Sequence, residues 1–243
     1  MSIVPLAETP ASSVQTYARI AGILFLISMV AGGLGEVYLP SRIIVRGDAV
    51  ATANNIIASN SLFRFAFASY LVEAVCDIAL AWTLYVLLRP VHANLALLTA
   101  FFGLVATATF AVAELFYFAP TFILGGAPYL NTFSPEQLKS LAMLSLRFYA
   151  IGGGLFMVFY GIAWVIRGYL IYRSDYLPKA LGALLAFAGL GFITRNFALV
   201  LAPAYASSFL LLPMMLGGLS LTVWLLVKGV DVPKWEARAA MRA

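Results

Sequence analysis

Apolar residues run along this chain in six long blocks, at about residues 18–39, 63–89, 94–119, 135–172, 179–201 and 206–227. Each is long enough, at roughly 20 residues or more, to cross a bilayer as a helix. The punctuation between them agrees with helix ends. Pro40, Pro90, Pro120 and Pro203 close the first, second, third and fifth blocks, because proline lacks the donor that continues a helix. Ser134-Pro135-Glu136 opens the fourth with a cap, a proline at the first helical position and an acidic first turn. That fourth helix is too long for one bilayer thickness, so its first two turns stand outside. Gly152-Gly153-Gly154 marks where it bends or admits a close neighbour. In the longest loop, Asp48 caps a short interfacial helix over residues 49–58, accepting the free N–H groups of its first turn. Pro213 and Gly217-Gly218 fall inside the sixth block.

These elements predict an all-α fold, a polytopic integral membrane bundle of about six transmembrane helices forming one domain over 18–228. Residues 1–17 read as a flexible polar tail, and 229–243 as a short basic tail with an interfacial Trp235. No basic cluster precedes the first block, so it reads as an uncleaved span rather than a removed leader.

Composition agrees. Hydrophobic residues make up 63% of the 243 and charged residues 10%, against about 45–50% and about 25% in soluble domains. Such a chain has too little polar surface to face water all round, and its partner is the lipid bilayer. The net charge of +5 does not imply nucleic acid, because the basic residues form no block or stripe. They stand at the ends of apolar runs. With the N-terminus inside, Arg19, Arg89, Arg167, Arg173, Lys179, Lys228, Lys234, Arg238 and Arg242 face the cytoplasm, while Arg42, Arg46 and Lys139 lie outside. That asymmetry predicts cytoplasmic N- and C-termini in a cell (inner) membrane. One cysteine, Cys76, permits no intramolecular disulfide.

Charge inside the spans changes the picture most. Glu73 and Asp77 lie one helical turn apart near the middle of the second block, where an ionised group costs at least about 2.5 kcal/mol. Tyr70 shares their face, since residues three and four apart are stacked neighbours. Glu36, Arg64, Glu114, Arg147 and Arg195 fall in the outer half of their blocks, with Asn196 beside Arg195 and Tyr117 three residues after Glu114. The expectation is one cluster of Glu73, Asp77 and Glu114, contacted by at least one of Arg64, Arg147 and Arg195. Its leading reading is a charged pocket that binds or moves a small solute or protons. The alternatives are ion pairs that only fix helix packing in a structural or partner-binding subunit, and a membrane enzyme acting on a lipid-borne substrate through Glu73 and Asp77. The arginines neutralise most of the negative charge, which argues against a metal. The single histidine, His92, sits in a turn beside Pro90, away from the cluster, so haem ligation, zinc hydrolysis and Ser–His chemistry find no residue to carry them. No cofactor is called for, and the balance leans against an enzyme.

Several short stretches carry a resemblance. They are Ala18-Arg19-Ile20-Ala21-Gly22, Arg46-Gly47-Asp48 with Asn55-Ile56, Leu62-Phe63-Arg64, residues 84–91 (LYVLLRPV) and residues 168–174 (GYLIYRS) followed by Leu177-Pro178. Over roughly residues 17–228 the chain resembles the bacterial membrane family known as domain of unknown function 4386. The resemblance implies a multi-pass inner-membrane protein and brings with it no activity, cofactor or catalytic residue.

Overall fold

The computed structural model describes residues 11–241. Among them there is no strand, and the fold is an all-α bundle. The helices are α1 (Ala11–Gly32), α2 (Leu39–Ile43), α3 (Ala49–Ala58), α4 (Asn60–Leu88), α5 (Ala93–Phe118), α6 (Pro120–Ile123), α7 (Pro135–Arg173), α8 (Lys179–Leu201), α9 (Leu212–Val227) and α10 (Val232–Ala240). Six stretches are long and apolar enough to cross a membrane: Val14–Ile43, Asn60–Leu88, Ala93–Ile123, Pro135–Arg173, Lys179–Leu201 and Phe209–Val227. Large apolar side chains stand exposed along them, Val75, Val112, Ile151, Phe187 and Val200 among them. Water would penalise that surface and hydrocarbon does not.

Most ends fall where local chemistry puts them. Asp48 accepts the Ala51 N–H at 2.8 Å and starts α3. Asn55 Nδ2 and Thr52 Oγ1 donate to the Ile43 and Val45 carbonyls, which folds the loop back on itself. Four boundaries differ from expectation. The first and third spans run past the prolines expected to close them, to Ile43 and Ile123, because each proline stands in the first turn of a short helix, where it has no N–H to lose. The first helix begins at Ala11, inside the stretch read as a tail, while residues 1–10 lie outside the described residues. The sixth span begins later than residue 206. A 3₁₀ turn over Ser208–Leu211 precedes α9, and Pro213 stands at its first turn. Proline has no N–H to lose there, so Pro213 marks a start rather than an interior kink.

The chain divides into two compact units. The first comprises residues 11–26, Cys76–Ala106 and 157–241; the second comprises Ile27–Val75 and Thr107–Phe156. In the first, α7 and α8 meet through glycines. A Cβ at Gly161 would stand 2.8 Å from the Gly189 carbonyl oxygen, and one at Gly182 2.6 Å from that of Gly168. Only glycine permits so close a backbone approach. Trp164 sits edge-on to Phe25 and Phe192, and Thr99 Oγ1 donates to the Ala163 carbonyl.

The same unit holds α10 in place. The Leu87 carbonyl belongs to the last turn of α4, where no intrahelical donor is left for it. Tyr176 Oη donates to it at 2.8 Å and Trp235 Nε1 at 2.9 Å. Trp235 is therefore 1% exposed, a core residue rather than the interfacial one expected. Arg238 pairs with Asp175 at 2.9 Å, and Gln15 bonds the Lys228 carbonyl and the Val230 N–H.

In the second unit, Leu39, Ile43, Ile56, Phe63, Ala66, Tyr117 and Leu146 form the core. Phe63 stacks on Tyr117 at 4.3 Å and Phe67 on Phe118 at 4.5 Å. Gly35 lets its helix approach α4, since a Cβ there would lie 2.7 Å from the Ala66 carbonyl oxygen. Gly152 lies against Ala113 in the same manner. Helix α7 continues through Gly152–Gly154 unbroken, and Gly152 serves close approach.

Candidate functional site

The division between units falls inside α4, after Val75. Glu73 therefore belongs to the second unit and Asp77 to the first, and the two carboxylates have different companions.

In the second unit, Glu114 of α5 is 2% exposed. The hydroxyl of Tyr149, on α7, donates to its carboxylate, and Glu73 and Tyr117 lie within electrostatic range. Glu36 acts on the same Tyr149. Two carboxylates from two spans, Glu114 and Glu36, thus act on one tyrosine, and Glu73 from a third span acts on Glu114. Glu73 reaches the group over bare backbone, for a Cβ at Gly32 would lie 2.7 Å from both of its carboxylate oxygens. Glu36 lies on a π-helical segment, Gly33–Tyr38, that interrupts the first span. Such a segment adds a residue to the turn and re-aims its side chains, and segments of this kind concentrate at functional sites. Tyr70 is buried in this unit, edge-on to Phe110 at 5.3 Å.

Arg64 is exposed, with its Nε donating to Asn60 at 2.7 Å and its guanidinium over the Phe118 ring. Arg147 is exposed. Arg195 and Asn196 belong to the first unit, Arg195 half-buried and Asn196 buried with its Nδ2 donating to the Phe192 carbonyl. The companions of Glu114 are a tyrosine and a second carboxylate. No group of three or more Asp, Glu, His or Cys side chains close enough to hold a metal ion occurs among the described residues.

In the first unit Asp77 faces Arg167, whose guanidinium donates to the Tyr160 hydroxyl oxygen. Arg167 is 3% exposed. Its sequence position near the end of a basic-rimmed span suggested a cytoplasmic residue, and the fold buries it instead. The sequence reading missed Tyr149 and Arg167 as site members. A signal for Arg167 was present, since Tyr160, Trp164 and Arg167 follow the i, i+4, i+7 spacing of one helix face. For Tyr149 there was none beyond its place in a span. His92 is exposed in its turn, its Nδ1 accepting the Leu95 N–H.

The model of the family described as Domain of unknown function (DUF4386) matches residues 20–229. An uncharacterized protein from Archaeoglobus fulgidus is 32% identical over 119 residues, which cover 49% of this chain and 57% of that protein. The match therefore spans little more than half of the relative's length. No solved structure matches.

Proposed function

This chain belongs to the DUF4386 family, and we propose that it is a multi-pass membrane protein that takes up and releases protons at Glu114, with Glu36, Glu73 and Tyr149 as the surrounding relay. The observation that carries the reading is the composition of the Glu114 environment: a tyrosine donor and a second carboxylate. A carboxyl group at membrane depth carries its charge only at high cost, and a proton removes that cost. Like charges close together add to it, so the charge state of such a group is tied to proton exchange. Chains of ionisable side chains, carboxylates among them, are a means by which membrane proteins hand protons on.

Orientation belongs to the same proposal. With Arg167 withdrawn from the surface count, the basic residues still favour N- and C-termini in the cytoplasm of a cell whose inner membrane houses the protein. The test uses the full chain in liposomes that enclose a pH-sensitive dye. An imposed potential should drive proton entry, and Glu114→Gln should slow it by at least about tenfold, because an amide cannot exchange the proton. Equal rates for the wild type and a folded Glu114→Gln protein would overturn the proposal.

A further inference from the structure

The first unit contains a second polar group, and its chemistry differs. Arg167 is 3% exposed and Trp164, one turn before it on α7, is 2% exposed. Among the described residues neither the Arg167 Nε nor the Trp164 Nε1 has a hydrogen-bond acceptor. Both are donors only, and a buried donor without an acceptor carries its full desolvation penalty. Glycine on helix α5 lets the guanidinium lie close against it. A Cβ at Gly103 would stand 3.0 Å from Arg167 Nη2. The ring contacts of Trp164 with Phe25, Tyr160 and Phe192 set the indole plane. The counter-charge is Asp77 of α4, which faces the guanidinium, while the Tyr160 oxygen accepts one of its N–H groups.

We propose that Arg167 and Trp164 form a binding site for one small monovalent anion, a halide or a short carboxylate, which competes with the Asp77 carboxylate for the guanidinium. A buried cation with donors to spare is what such an anion requires, and a guanidinium serves a carboxylate or a halide through the same N–H groups. The site lies in a different unit from Glu114 and takes a different ligand, so it stands or falls apart from the proton reading.

The experiment measures thermal unfolding of the full chain in detergent, with gluconate replaced stepwise by chloride or by acetate at constant ionic strength. Binding to the native state alone raises the midpoint in a saturable way. The anion that produces the rise identifies the class of ligand. Asp77→Asn removes the competing charge and should lower the half-saturating concentration by at least about tenfold, given the strength of a charge–charge contact at an effective dielectric of about 20. Trp164→Phe should raise it severalfold, Arg167→Lys should abolish saturation, and Glu114→Gln should leave it unchanged. Recovery of a destabilised Asp77→Asn protein by chloride or acetate, and not by gluconate, would support the same assignment. The proposal is overturned if neither anion gives a saturable rise in the wild type and in Asp77→Asn. It is equally overturned if Trp164→Phe and Arg167→Lys respond as the wild type does.

Discussion

Replacing Glu114 by glutamine and Tyr149 by phenylalanine, singly and together, separates a proton-exchanging carboxyl from a permanent charge. Glu114 is 2% exposed and takes a hydrogen bond from the Tyr149 hydroxyl. If the carboxyl is proton-loaded in the resting protein, glutamine is close to its isostere. The amide oxygen still accepts from Tyr149, and Glu114→Gln should change stability by less than about 1 kcal/mol. Tyr149→Phe then removes one neutral hydrogen bond, about 0.5–1.5 kcal/mol, and the double-mutant cycle should give a coupling of the same size. A carboxylate that stays ionised behaves otherwise. Hydrogen bonds to charged groups contribute about 1.5–3 kcal/mol, and breaking a buried charged pair costs about 3–5 kcal/mol. The assay is reversible unfolding in mixed micelles, read by tryptophan fluorescence for all four proteins. A loss above about 3 kcal/mol in Glu114→Gln, with coupling above about 2 kcal/mol, would refute the reasoning and make the group a packing lock.

Two further outcomes are expected. A reporter that is active only in the periplasm, fused after Ala243, should stay silent; strong activity would overturn the orientation drawn from the basic residues. Tyr176→Phe and Trp235→Phe each leave the Leu87 carbonyl one donor, so single losses should stay near about 1 kcal/mol while the double variant loses more than their sum. Protease cleavage within 232–240 reads out that detachment, and additive losses would mean that the shared carbonyl is not what holds α10.

Much of the secondary structure was legible because its causes are local. The Asp48 side chain and the Ala51 N–H it accepts are three residues apart, so α3 could be bounded from the sequence. Lys179–Leu201 was likewise bracketed by prolines on both sides. Pro213 was misread as interior because its meaning depends on where the helix starts, and the apolar run continues on both sides of it.

The long-range partners were another matter. A soluble helix shows which face is inward by a polar stripe on the opposite face. In a bilayer both the lipid side and the packed side are apolar, so hydrophobicity leaves the rotation of each helix about its axis undetermined. The order of residues alone implies six apolar helices, positive charge at their ends, and buried company for Glu36, Glu73, Asp77 and Glu114. Packing settled which company each residue found: Tyr149 for Glu114, Arg167 for Asp77, the Leu87 carbonyl for Trp235, and Gly189 for Gly161. Each of those pairs is set by helix rotation and close backbone approach, which are properties of packed helices and of no single one.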